Sequence, residues 1–360
     1  MASAIRSSNG GLLALPEELT SGRETLPLAR CREIHRLMVL CRRLEERCIK
    51  MSKSGEAYFW VGGPGEEAFN VALGLQVLKG HGPAYDYLHL HYRNLGILLG
   101  MGMPILEHLQ QMAMTLTDPH SMGRNFVGHY SKTDWNVIPV TSVIEVQYSM
   151  APGTAHVQKR HGGEGVSIVI GGDAGTAEGD FATCMIWSSR PGNELPVLML
   201  VTNNGWGIST PCESQHGEAH IADRGQAFGI PAEVIDGNDP IASWHAIARG
   251  LRYCRTKRKP YMIEARVSRL HGHSSSSGAA RVPDETDCIF TLERKLREAG
   301  IDEEELARVH TEVKEEIELA VKQALSEPRP TAKDIYTHTY APSSVDAVYP
   351  NDYTGLPGEC

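Results

Sequence analysis

The chain has 360 residues, 41% of them hydrophobic and 22% charged, the make-up of a folded protein with one large core or two modest ones rather than of a disordered or fibrous one. A formal net charge of -9 gives no electrostatic reason to expect nucleic acid or an anionic membrane as partner, so any anionic ligand must be held locally. The 8 cysteines are scattered, without a Cys-x-x-Cys pair or a zinc-type spacing, which argues against a disulfide framework and a cysteine metal site and favours a reducing compartment.

Residues 1–29 read as an N-terminal extension. It holds one short apolar patch before Pro16 and two early glutamates, Glu17 and Glu18, too little for a signal-peptide core, and no later run approaches membrane-spanning length. A cytoplasmic protein is expected. The small residues around Arg6 imitate an organelle transit peptide, which keeps a mitochondrial matrix location open for a eukaryotic source.

From Arg32 to Lys50, Ile34, Leu37, Cys41, Leu44 and Cys48 recur every three or four positions with charges between them, as an amphipathic helix with one buried face requires. The stretch from Val61 through Gly62-Gly63-Pro64-Gly65-Glu66-Glu67 reads as a glycine-rich turn feeding a helix over Asn70–Val77, with its N-terminus facing a ligand. Ser167–Ile170, Val197–Val201, Glu233–Asp236 and Met262–Val267 are short apolar runs bounded by turn residues and read as buried parallel strands. Helical patterns over Gly179–Ser188 and Ile241–Arg252 lie between them. The alternation predicts an α/β domain over 30–283, a doubly wound, mostly parallel sheet flanked by helices, with ligands at the carboxyl ends of the strands. Residues 284–330 form a C-terminal helical segment, with Val309, Val313, Ile317, Val321 and Leu325 at four-residue steps and Pro328 and Pro330 ending it. The tail, 331–360, is rich in Pro, Asp and Gly from Tyr340 on and either wraps a surface or is disordered.

Two strand ends carry the strongest chemical signal. Gly171-Gly172-Asp173-Ala174-Gly175 follows the first strand, and Asn203-Asn204-Gly205-Trp206-Gly207 follows the next. One carboxylate, one amide oxygen and one carbonyl suit magnesium, a hard ion that takes oxygen ligands and completes its shell with phosphate. Composition alone favours a plainer reading, with Asp173 capping the next helix and Asn204-Gly205 making a tight turn.

The pair of motifs, at this order and 31 positions apart, resembles the magnesium motif of the thiamine-diphosphate enzymes. The resemblance is closest to the alpha subunits of the decarboxylating components of 2-oxo acid dehydrogenase complexes, and it runs from about residue 30 to 310. By it, Asp173, the side chain of Asn204 and the carbonyl of Trp206 ligate magnesium. Gly172, Asp173, Ala174 and Gly175 approach the diphosphate, with Ala174 where the family usually has glycine. Tyr92 and Arg93 match the pair that grips the diphosphate, a task suited to a guanidinium fork. Ser142 and Ile144, in Thr141-Ser142-Val143-Ile144, match the segment beside the aminopyrimidine ring. Val146 replaces the threonine that helps hold potassium in branched-chain relatives. His273, in His271-Gly272-His273-Ser274, matches a histidine that contacts the diphosphate and assists acyl transfer, work for a side chain that changes charge near neutrality. A zinc site through His271 and His273 would need two further ligands, and no Cys or His nearby stands at a usual spacing. The run Ser274–Ser277 occupies the place of a loop phosphorylated in animal relatives, or is a mobile polar loop that orders around the cofactor.

The resemblance implies oxidative decarboxylation of a 2-oxo acid with thiamine diphosphate and magnesium, and transfer of the acyl group to a lipoyl-bearing acyltransferase component. It also implies a beta subunit in an alpha2-beta2 heterotetramer, because in this family the glutamate that activates the aminopyrimidine belongs to the partner. Residues 204–211 and 234–240 resemble the branched-chain type, whereas His271-Gly272-His273 resembles the pyruvate type, and acetoin dehydrogenases share the same motifs. Ala174, Thr202 and Val146 are departures that a non-catalytic assembly or regulatory subunit would also show.

Overall fold

Along the central strands, alternate side chains feed two separate cores. The computed structural model describes residues 5–6, 12–13 and 15–337; the expected tail lies, from 338 on, outside them. Tyr87–His89 (β1), Ser167–Gly172 (β2), Val197–Asn203 (β3), Ala232–Asp236 (β4) and Tyr261–Arg266 (β5) form one sheet in the order β4-β5-β3-β2-β1, every pair parallel. Successive side chains of a strand point to opposite faces. Thus Ile168, Ile170, Leu198 and Leu200 enter one core, and Val169, Val197, Met199 and Val201 enter the other. This is why β2 and β3 read as unbroken apolar runs.

On the first face lie α1 (Leu28–Ser54), α2 (Glu67–Gly74), α3 (Leu95–Gly100) and α4 (Ile105–Met112). The second is covered by α5 (Val146–Arg160) and α6 (Gly179–Ser188), through Tyr148, Ala151, Phe181 and Met185. The chain returns to the first face with α7 (Pro240–Lys257), α8 (Cys288–Glu298) and α9 (Glu303–Ser326). Aspartates start these last three helices. Asp239 accepts from the backbone N–H groups of Ile241 and Ala242, Asp287 from Ile289 and Asp302 from Glu305. Buried polar contacts fix α8 and α9 to α1. Arg42 of α1 forks onto Glu67 at 2.6 and 2.8 Å and reaches Asp287 at 2.8 Å. His35 and His310 meet the same oxygen of Glu293 at 3.0 and 2.8 Å. Among the described residues no helix is long and apolar enough to cross a membrane.

Four expectations change. The sheet has a fifth strand, β1, whose three residues are too few to show a period. β4 is an edge strand and alternates between exposed and half-buried side chains instead of being buried. The helical stretch 284–325 is broken at Gly300, which has φ +93°. The helix after the glycine-rich turn begins at Glu67 and ends at Gly74, earlier than Asn70–Val77.

Candidate functional site

β2 and β3 run side by side, with Gly172 opposite Thr202, so Asp173 and Asn204 leave the sheet together at its carboxyl end. A cavity of about 420 Å³ opens there. Tyr92, Arg93, Ser142, Ile144, Gly172, Asp173, Ala174, Gly175, Asn204, Trp206 and His273 all line it, so the structure brings together every residue nominated from the sequence.

Asp173 is buried and makes no helix-capping hydrogen bond. Its Oδ1 accepts from the Asn204 N–H at 3.4 Å, and its Oδ2 has no partner. A buried acceptor left without a donor costs about 1–3 kcal/mol, a cost that a cation would remove. Burial raises the Asp173 pKa above the usual aspartate value. The Asn204 Oδ1 accepts from the Trp206 N–H at 3.2 Å, a turn that fixes the amide at the mouth of the cavity. The expected tight turn is therefore present at Asn204, with Gly205 at φ +76°, while the expected cap at Asp173 is absent.

Ala174 is accommodated from the opposite side. A Cβ built on Gly207 would lie 2.6 Å from the Ala174 methyl, so glycine at 207 leaves room for the alanine at 174. Gly172 has open space where a side chain would stand.

The Arg93 guanidinium holds the carbonyl of Gly62 and donates to His273 Nδ1 at 2.9 Å. Arginine only donates, so Nδ1 is the acceptor and the ring proton belongs on Nε2. Burial, with Arg93 and Arg269 adding repulsion, lowers the His273 pKa to about 4, and the ring is neutral at pH 7. His271 lies off the cavity, its Nδ1 near the Ala279 carbonyl at 3.3 Å, and among the described residues neither histidine joins a metal-ligating cluster. The Ser274–Ser277 segment is a closed turn. Ser274 and Ser277 cap it reciprocally, and the Trp60 N–H donates to Ser275 Oγ at 3.0 Å.

The glycine-rich turn does not aim its helix end at the cavity: Val61 lines it, but residues 62–67 do not. The Glu67 carboxylate accepts from the Gly65 N–H at 2.8 Å and is itself held by Arg42. Gly63 and Gly65 are needed because the backbones of Arg93 and Ser268 press against them.

Several lining residues carry no sequence signal. His129 Nε2 and Ser142 Oγ are 2.6 Å apart, and Phe59 and Phe126 meet edge to face at 5.0 Å. The Glu145 side chain fills the space left by Gly171 and Gly175, and burial raises its pKa to about 8, so the carboxyl is mostly protonated at pH 7. Behind the lining residues Trp206 and Ile208, the Arg269 guanidinium lies 5.5 Å from the centre of the Trp206 ring and donates to the Ile208 carbonyl at 2.9 Å. Only their shared position at the sheet's end unites these residues.

The dehydrogenase E1 component family matches residues 35–333. A 2-oxoisovalerate dehydrogenase subunit alpha of Bacillus subtilis is 26% identical over 82% of this chain and 89% of its own length. The alpha subunit of the pyruvate dehydrogenase E1 component of the same organism is 28% identical over 86% and 81%. A mitochondrial 2-oxoisovalerate dehydrogenase subunit alpha 2 of Arabidopsis thaliana is 29% identical over 69% of this chain, which spans 51% of that protein. The chain belongs to the dehydrogenase E1 component family, as an alpha subunit of a thiamine-diphosphate-dependent 2-oxo acid dehydrogenase.

Proposed function

We propose that this chain holds thiamine diphosphate through magnesium and, with a beta subunit in an alpha2-beta2 heterotetramer, oxidatively decarboxylates a branched-chain 2-oxo acid, passing the acyl group to a lipoyl-bearing acyltransferase component. The observation that carries this reading is the unpartnered Oδ2 of buried Asp173 beside the Asn204 amide, at the adjoining ends of β2 and β3. The donor set is all oxygen, as a hard cation requires.

In this reading Asp173, Asn204 and the Trp206 carbonyl hold magnesium, and Tyr92, Arg93, Gly172, Ala174 and Gly175 receive the diphosphate. Ser142 and Ile144 flank the ring end of the cofactor, near the Phe59–Phe126 pair. When bound, thiamine diphosphate supplies the electron sink for decarboxylation. The neutral His273 offers its Nε2 proton as a hydrogen-bond donor, and Arg93 fixes that tautomer. The apolar walls around Phe59, Val61 and Phe126 exclude water from the reacting end.

The 2-oxoisovalerate names of relatives and the segments 204–211 and 234–240 support the branched-chain substrate. Pyruvate is the second reading, supported by His271-Gly272-His273 and the pyruvate dehydrogenase relative. Calorimetric titration of thiamine diphosphate into the chain co-expressed with its beta subunit tests the assignment. Binding is expected only with magnesium and is expected to be lost in Asp173→Ala. An intact pair that binds no cofactor would instead be a non-catalytic assembly subunit. Assay of the loaded pair on pyruvate, acetoin and branched 2-oxo acids decides the substrate.

A further inference from the structure

Cys212 and His216 stand four positions apart, a spacing with no obvious meaning in the sequence. In the fold the His216 N–H donates to the Cys212 carbonyl at 3.0 Å, one closed helical turn that puts both side chains on the same side. That side faces Asp173. A carboxylate oxygen, the Cys212 sulfur and a ring nitrogen of His216 lie within 4.8 Å of one another. Two buried atoms of this group have no hydrogen-bond partner, Asp173 Oδ2 and His216 Nε2. The His216 side chain is only 3% exposed. Unpaired buried polar atoms are rare in folded proteins and call for an explanation.

We propose that Asp173, Cys212 and His216 form a binding site for a thiophilic divalent cation of the zinc and cobalt class, overlapping the magnesium site at Asp173. Carboxylate, thiolate and imidazole are the ligands such ions take in tetrahedral sites, with water in the fourth position, whereas magnesium prefers oxygen alone. Glu218 supplies the outer support. Its Oε1 lies 3.5 Å from His216 Nδ1, so with the ring proton moved to Nδ1 that N–H donates to the carboxylate and Nε2 presents its lone pair to the metal. Arg224 Nη2, which in the metal-free chain donates to both Nδ1 at 3.1 Å and Glu218, swings away from the newly protonated Nδ1, while Nη1 keeps its bond to the Thr176 carbonyl. On binding, the cation takes the place of the Cys212 thiol proton, which leaves to solvent.

The functional consequence rests on the reading under Proposed function. Both sites draw on the Asp173 carboxylate, so zinc held by Cys212 and His216 is expected to oppose magnesium-dependent cofactor binding. Cobalt reports the site directly. Titration of Co²⁺ into the metal-free full-length chain is expected to give a near-ultraviolet sulfur-to-cobalt charge-transfer band and the intense visible bands of tetrahedral cobalt, all bleached by zinc. Cys212→Ser is expected to remove the charge-transfer band, and His216→Tyr to weaken the visible bands. Circular dichroism and Tm matching the parent establish that both variants are folded. The other described cysteines are buried away from this group. Absence of the band in the parent, or its persistence in Cys212→Ser, overturns the proposal. In a second arm, zinc is expected to abolish magnesium-dependent thiamine diphosphate binding by the parent with its beta subunit and to leave Cys212→Ser largely unaffected. Equal inhibition of both overturns the competition. Failure to bind cofactor without zinc counts against the proposed function alone, because the cobalt spectrum is recorded without cofactor.

Discussion

Arg93 and His273, 180 positions apart, meet through a 2.9 Å contact from guanidinium Nη2 to imidazole Nδ1, at the wall of the cavity where Asp173 and Asn204 converge. The contact sets the tautomer of the histidine, and it separates two roles that mutation can resolve. Arg93→Lys retains the charge but loses the planar fork, and is expected to weaken thiamine diphosphate binding by about 1.5–3 kcal/mol. His273→Asn keeps a donor of similar size without a titrating ring. It is expected to leave cofactor affinity within a few-fold while slowing acyl transfer roughly 10²- to 10⁴-fold. Calorimetry and steady-state kinetics on the same preparations distinguish the two; unchanged turnover in His273→Asn removes the histidine from the chemistry.

Ala174 and Gly207 form a complementary pair across the loops at the ends of β2 and β3. With a Cβ at 207 lying 2.6 Å from the alanine methyl, Gly207→Ala forces apart the strand-end loops that carry Asp173 and Trp206. The cost is expected to be about 1–3 kcal/mol in stability, with a parallel loss of cofactor affinity. The double variant Ala174→Gly/Gly207→Ala removes one methyl as it adds another and is expected to recover most of both. Additive losses in this double-mutant cycle would show that the two positions do not interact.

The contrast between these two pairs shows what a sequence discloses. Asp173 and Asn204 were legible because each follows directly on an apolar strand, and parallel neighbours present their carboxyl ends together. Strands β2, β3 and β5 were legible for the same reason, as continuous apolar runs between turn residues. β1 was not, having three residues, and β4 was misread as buried because an edge position is set by sheet order, which local pattern does not encode. Arg93 and His273 were nominated through family resemblance, but their contact was invisible, as was the room that Gly207 leaves for Ala174. His129 and Glu145 reach the cavity from the long connection between α4 and α5 and share no spacing with the other lining residues. The glycine-rich turn was recognised as a turn but misjudged in purpose, because beyond Val61 its residues do not line the cavity and the Glu67 carboxylate is taken up by the Gly65 N–H and Arg42.

Arg42 is the structural counterpart of Arg93. Its guanidinium is buried between Glu67, whose side chain is fully buried, and Asp287 at the start of α8, joining three helices. Arg42→Ala strands the Glu67 carboxylate and is expected to cost about 3–5 kcal/mol, read as a large fall in Tm and in the midpoint of urea unfolding. Replacing both partners, as in Arg42→Met/Glu67→Met, is expected to be far less damaging than the single change, since no charge is left buried alone. A double variant as unstable as Arg42→Ala would mean that the geometry of the pair, rather than its uncompensated charge, holds the helices.

Acid sensitivity of the fold is expected to come in part from His108. It lies inside α4, with Nδ1 3.0 Å from the Tyr130 hydroxyl and Nε2 3.5 Å from Cys48 Sγ, and burial lowers its pKa to about 3. The unfolded chain takes up a proton here at an ordinary histidine pKa near 6.5, while the folded chain does not until about pH 3. Its contribution to stability is therefore complete above the unfolded value and is lost progressively as pH falls between the two, by up to ~1.4 kcal/mol per pH unit. Other buried groups titrate in the same range, including Glu45 and Glu66, whose pKa values burial raises to about 7, so the absolute curve is a composite. The difference between His108→Gln and the parent isolates the histidine. Glutamine keeps a polar contact to Tyr130 but binds no proton, so the variant is expected to be the less stable at pH 7.5 and to gain on the parent steadily as pH falls from 6.5 towards 4.5. Melting curves that stay parallel across that range would mean that His108 is already protonated in the fold or is hydrated there, and the acid limb would then belong to the other buried histidines.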